Sequence, residues 1–396
     1  MMGGRLRIWA LIALLGLAGC TGSVAPPAAT LTSTPRPDPT ALPTPDGWTL
    51  ASAPLTLETV PQLRELGRLT APEPPSTVFA YALSLDNALL AGLNNEFVLV
   101  WDLFTGDQLF VAERRGANAI LFGPDRQQIY TLSDSGELRV YDALRGSVVE
   151  TLGAFDQYNG VWAYDPLGGW LALGSDDGAV QVWDMLERIP LTVLESIDVP
   201  VTALAFSPDG AALATSDRNG TLRFWDFQNG QQGVSADLLT TVSKIVYAPS
   251  GSVLAINSGD GVLVMDPATG NVVASLAEEP TDGLFEFLGQ ADLLVLGGES
   301  TDLSLWDPFT GALAAILPGT KGDRVSAAGS PQGEMLLASS RASTSLWNIS
   351  RISAGTVLRG SIGLPSADVL RVVWTADGLQ ILIFEALGPV RVFGIP

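Results

Sequence analysis

From residue 78 onward, short apolar runs alternate with Gly, Pro, Asp and Asn, and no stretch sustains the 3.6-residue period of a helix. Such a pattern predicts strands joined by tight turns. One unit shows the order. An apolar run leads into a turn such as Ser207-Pro208-Asp209-Gly210, and a second run follows, as in Leu171-Ala172-Leu173-Gly174. A Gly-, Asp- or Asn-containing turn comes next, as in Asp176-Asp177-Gly178 or Arg218-Asn219-Gly220, then a third run, then a fourth such as Leu191-Thr192-Val193-Leu194. The fixed φ of proline followed by Asp or Gly suits a two-strand connection.

The unit repeats. Its third run ends in an apolar or aromatic residue followed by Asp: Val100-Trp101-Asp102, Val140-Tyr141-Asp142, Val182-Trp183-Asp184, Phe224-Trp225-Asp226, Val264-Met265-Asp266 and Leu305-Trp306-Asp307. Weaker copies follow at Leu346-Trp347-Asn348 and Val392-Phe393-Gly394. Successive third positions are 40, 42, 42, 40, 41, 41 and 46 residues apart. Pro124, Pro166, Pro208, Pro249 and Pro331 keep the same phase. A strand-built repeat of this length predicts an all-β propeller of four-stranded blades.

Eight endings predict eight blades, with a seven-bladed ring plus one degenerate unit as the alternative. Only Ile395 and Pro396 follow the last ending, so the final blade lacks its outer strand. The run from Gln62 to Leu69 reads as that strand, because Leu69 precedes Trp101 by 32 residues where Leu152 and Leu194 precede their Trp by 31. The N-terminal strand is therefore expected to close the ring and remove its open edges.

The Trp-Asp endings, the Ser-Pro-Asp-Gly turn and endings such as Trp306-Asp307-Pro308-Phe309-Thr310-Gly311 resemble WD40 repeats over roughly residues 62–396. That resemblance implies a ring that docks protein partners on one face. The chain departs from it in having no histidine, so the imidazole-centred network that such repeats carry cannot form; of the corresponding turn positions only Asp177 is an aspartate. Blade cohesion must rest on apolar packing and backbone ladders, which is more similar to divergent bacterial propellers. The repeated Trp residues read as packing between sheets, Trp162, Trp170 and Trp374 as core, and the repeated Asp as a turn-capping acceptor.

The N-terminus carries a different message. Arg5 and Arg7 precede an apolar stretch from Ile8 to Leu17, and Leu17-Ala18-Gly19-Cys20 resembles the lipobox of bacterial lipoproteins. Residues 1–19 are expected to be a signal peptide and Cys20, the sole cysteine, the lipidated residue. The apolar stretch is too short to span a bilayer as a helix. Residues 20–50, rich in Pro and Thr, read as an extended linker, and 51–396 as the propeller. This layout places the protein outside the bacterial cytoplasmic membrane, with the outer membrane as a second possibility.

Composition narrows function. Of 396 residues 47% are apolar, and 42 acidic residues against 21 basic ones give a formal charge of −21. No broad cationic surface exists to neutralise phosphates, so nucleic acid is not an expected partner. The absence of histidine removes Ser-His-Asp and Cys-His catalysis. No phosphate loop, nucleophile elbow or paired-cysteine metal site is present, and no cofactor or metal is expected. The leading expectation is a monomeric, non-catalytic protein-binding scaffold. Candidate partner-binding residues lie on the face shared by the outer-to-inner loops and those before the Trp-Asp strands: Arg114 and Arg115, Phe155 and Tyr158, Glu278 and Glu279, and Lys321 and Arg324. Two other readings are a propeller enzyme, either a quinoprotein-type dehydrogenase or a hydrolase, and an envelope-assembly lipoprotein.

Overall fold

The computed structural model describes residues 48–71, 77–165, 167–194, 198–277, 284–289, 292–298, 301–320, 322, 325–340, 343–350, 352, 356–357, 362–364, 368–386 and 388–396. Cys20, Pro166, Glu278, Glu279, Lys321 and Arg324 lie outside them. Eight antiparallel sheets follow one another along the chain, each a blade of four strands numbered inner, second, third and outer. Blade 1 consists of Ala80–Leu83, Leu89–Leu93, Phe97–Asp102 and Gln108–Glu113. Blades 2 to 7 occupy 117–152, 158–194, 201–237, 242–277, 284–317 and 326–364.

Blade 8 takes its inner three strands from the C-terminus and its outer strand from Arg64–Leu69, which pairs antiparallel with Val390–Gly394. Ring closure by the N-terminal segment is as the spacing predicted. The contact extends beyond one ladder, since the amide of Ser52 donates to the carbonyl of Ile395 at 2.8 Å and Ala53 bridges Ile395. Trp48, placed by composition at the end of the linker, belongs to the folded ring. It is 7% exposed, its Nε1 donates to the carbonyl of Phe104 at 3.1 Å, and its ring fills space left by Gly67 and Gly106.

Eight apolar clusters occupy the eight gaps between neighbouring blades. Trp101 packs between blades 8 and 1, Tyr141 between 1 and 2, Trp183 between 2 and 3, Trp225 between 3 and 4, and Trp347 between 6 and 7. The repeated aromatic is thus a packing residue, as its periodicity implied. It also marks a change of register. In six blades the third-to-outer ladder slips at or beside this position, which is Met265 in blade 5, as between Val100 and Trp101 or Val182 and Trp183. The bulge leaves an extra outer-strand residue such as Val149 or Leu191 exposed and interrupts an edge that would otherwise invite a further strand.

The Asp after the aromatic caps the following turn. Asp102 Oδ1 accepts the amides of Phe104 at 2.7 Å and Thr105 at 2.9 Å, and Asp142 and Asp184 repeat the motif. These amides hold the Asp142 carboxyl below the usual range, the Arg145 amide foremost. The Ser-Pro-Asp-Gly turn works similarly: Ser207 donates to Asp209 at 2.5 Å and accepts the amide of Ala212 at 2.9 Å.

The irregular 46-residue spacing has a location. In blade 7 the connection from Ser343–Asn348 to Ile362–Leu364 is lengthened, and within it Thr356–Val357 runs parallel to Leu313–Leu317, adding a fifth strand to the edge of blade 6.

Candidate functional site

Strand alternation puts the outer-to-inner connections and the second-to-third turns on one face of the ring, where the sequence placed the binding residues. At the junction of blades 1 and 2 the Arg114 guanidinium lies over the Phe79 ring, 5.1 Å from its centre. Arg114 Nη2 donates to Asn118 Oδ1 at 3.2 Å, and Asn118 Nδ2 in turn donates to Asp134. Phe79 is 44% exposed, so this cation–aromatic pair faces solvent. Arg115 has a left-handed φ of 48° and an exposed ion pair with Glu113 at 3.3 Å, which contributes little to stability.

Phe155 and Tyr158 do something else. Both are half-buried and pack on the cluster between blades 2 and 3. Gly136, at φ +76°, leaves them room, because a side chain there would sit 3.0 Å from Tyr158 Cβ and 3.1 Å from the Phe155 nitrogen. Burial pushes the Tyr158 hydroxyl well above its ordinary value. The loop aromatics of blade 3 therefore serve the core more than the surface. Trp162 reverses the other way: expected in the core, it is 37% exposed on its inner strand. Trp374 is buried as expected, and Trp170 packs edge-on against Phe227 at 5.4 Å.

Inside the ring, inner strands bring together charges from separate blades. Arg371 of blade 8 donates through Nη2 to Glu286 Oε1 of blade 6 at 3.3 Å. The pair passes blade 7, whose inner strand Ser326–Gly329 carries only Ser, Ala and Gly. The Arg371 guanidinium also stacks 5.3 Å from the ring centre of Tyr81 of blade 1, and Tyr81 rests on Phe384 at 4.6 Å. Lys244 of blade 5 holds its ammonium 5.9 Å from the Phe285 ring centre. Burial lowers the Lys244 pKa, opposed by Glu286 and reinforced by Arg371, while burial raises that of Tyr81.

Sequence reasoning weighed Lys321 and passed over Lys244. The signal was present: a lone charge interrupts each apolar inner run, in Val242–Tyr247, Leu284–Leu288 and Val369–Trp374. Asp177 accepts a hydrogen bond from Ser175 and the Ala179 amide at 3.2 Å, so it serves its turn. In place of the missing imidazole network, four of the five repeated indole N–H groups find separate acceptors: the Thr70 carbonyl for Trp101, Gln181 for Trp183, Thr215 for Trp225 and Ser304 for Trp306.

This architecture is that of a ring-shaped, repeat-built β-propeller. The WD domain, G-beta repeat family model matches residues 148–184 and 189–226, spanning the outer strand of blade 2 to the third strand of blade 4. The matched stretch carries two WD40 repeats, and the eight four-stranded blades form a β-propeller. Its fold is similar to the crystal structure of the computationally designed Ika8 protein, with a TM-score of 0.64 and 19% identity over 83% of this chain and 99% of that one. No curated protein matches it in sequence.

Proposed function

We propose that this protein is an exported, lipid-anchored, non-catalytic platform that holds a protein partner on the ring face bearing Phe79 and Arg114. The exposed Arg114–Phe79 stack carries the reading: aromatic and Arg side chains dominate interface energetics, and here the two are held together and steadied by Asn118 and Asp134. A cationic spot in a chain of formal charge −21 favours a partner surface of opposite sign. The anchor rests on Leu17-Ala18-Gly19-Cys20, and the Pro- and Thr-rich stretch after it gives an acidic domain reach away from an acidic bilayer. Such a protein works at the outer side of a bacterial cytoplasmic membrane.

Two measurements test this. A photo-crosslinking residue at position 79 should yield a discrete adduct in native membranes, whereas one at position 144, in a third-to-outer turn on the opposite face, should not. Adducts of equal yield from both positions would remove the docking face. Cys20→Ser should move the protein to the soluble fraction with an unchanged melting curve; retention in the membrane pellet would refute the anchor.

A further inference from the structure

We propose that the gap between blades 3 and 4 is a binding site for one ordered water molecule, which accepts hydrogen bonds from Thr215 and Arg223 and donates to Asp217. A cavity of about 20 Å³ lies there, walled by these three residues and Trp225 of blade 4 and by Val180 and Leu194 of blade 3. A water needs at least about 10–15 Å³ and two to four polar partners, so the space suits a single molecule.

Strand register puts the polar groups on one face. In the second-to-third ladder of blade 4, Thr215 lies opposite Arg223 and Leu213 opposite Trp225, and alternation along the strand adds Asp217 to the same side. That side packs on blade 3, since Leu213 and Trp225 share an apolar cluster with Val180 and Leu194. The cavity therefore sits at the polar end of an otherwise apolar seam.

The unused hydrogen-bonding capacity of these groups selects the ligand. The Trp225 indole donates to Thr215 Oγ1 at 3.0 Å, and among the described residues nothing accepts the hydroxyl's own proton. Arg223 donates through Nη1 to Asp217 Oδ2 at 2.7 Å, and its other N–H groups meet no acceptor among the described residues. Thr215 and Asp217 are buried and the Arg223 side chain is 15% exposed, so donors left unmet there are costly. Asp217 Oδ1 is taken by the amides of Asn219 at 2.9 Å and Thr221 at 3.2 Å, whereas Oδ2 keeps a lone pair to accept a further proton. Two donors beside a carboxylate call for a neutral molecule that both accepts and donates. A cation would meet the guanidinium, and an anion would meet the carboxylate paired with it.

The test joins a high-resolution crystal structure of the full chain to water-deuteron relaxation dispersion, which counts slowly exchanging internal waters in solution. Density for one water within about 3.2 Å of both Thr215 Oγ1 and an Arg223 nitrogen is the expected result. The dispersion amplitude should fall by one water in Thr215→Val and hold its wild-type level in Thr215→Ser, which keeps the hydroxyl. Should Thr215→Val fail to fold, the wild-type density and the Thr215→Ser amplitude still decide. The proposal is overturned by a cavity without density, by equal amplitudes in wild type and Thr215→Val, by a loss in Thr215→Ser, or by an anomalous peak at this spot after a bromide soak, which would make it an anion site.

Discussion

Replacing Arg391 by Met should open the ring at its seam. Arg391 lies in the third strand of blade 8, with Nη2 donating to Glu65 on the closing N-terminal strand and Nη1 donating to Glu385 at 3.4 Å. Its side chain is 10% exposed, against 26% for Glu65 and 19% for Glu385. Breaking a fully buried pair costs about 3–5 kcal/mol and a surface pair less than about 1. Because both carboxylates keep some water and Arg68 still reaches Glu65 at 2.6 Å, the expected loss lies between these limits, at about 2–3 kcal/mol. The assay is urea unfolding of the wild type, Arg391→Met, Glu65→Gln and the double variant. The two substitutions should be non-additive by about 1–2 kcal/mol, since each removes the same contact. Acid supplies an internal control. Hydrogen bonding from Arg391 holds the Glu65 carboxyl below its ordinary 4.5, so this stabilisation is complete above that pH and fades as pH falls through the depressed folded value. The gap between wild type and Arg391→Met should therefore close on acidification below about pH 4. Identical urea midpoints at neutral pH, or a gap undiminished at pH 3, would refute the argument that this guanidinium bolts the N-terminal strand to the ring.

Other expectations follow from single positions. Gly106→Ala should lower stability by about 2–4 kcal/mol, because the backbone has φ +78° and a Cβ would lie 2.4 Å from the Trp48 ring; thermal unfolding reads it. Trp48→Ala should cost about 3–5 kcal/mol through the cavity it leaves, and a loss under about 1 would show that the segment before the closing strand is not part of the fold. Thr215→Val leaves the buried Trp225 indole N–H without its acceptor at 3.0 Å and should cost about 1–3 kcal/mol in denaturant, whereas Thr215→Ser should restore most of it.

Much of the fold was legible because a propeller is locally written. Each blade is a run of consecutive hairpins, so its turns, its Trp-Asp ending and its period all lie within about forty residues of chain. Closure was legible for a related reason: the last unit ran out of residues before its fourth strand, and Arg64–Leu69 stood spare at the other end. What was not legible shares a cause. Phe155 and Tyr158 read in the sequence only as loop aromatics, whereas they are half-buried against the cluster between blades 2 and 3, with Tyr158 opening the inner strand of blade 3. Trp162 looked like core because its run is apolar, yet it is exposed while its neighbours Val161 and Ala163 pack on the cluster between blades 3 and 4. Loop or strand is a property of local sequence, whereas burial depends on which blade stands next to it.

The same division runs through the site. Sequence alone determined the repeat, the residues that cap each turn and the aromatic that fills most gaps, since these depend on neighbours a few tens of residues away; it favoured eight blades, and ring closure settled the number. It also marked the half-buried Arg114, though not the exposed Phe79 beneath it. Only the tertiary structure could set Lys244, Glu286, Arg371 and Tyr81 around one point, because they come from blades 5, 6, 8 and 1 and meet only once the circle is closed. Local patterning writes each blade, and closure of the ring writes its centre.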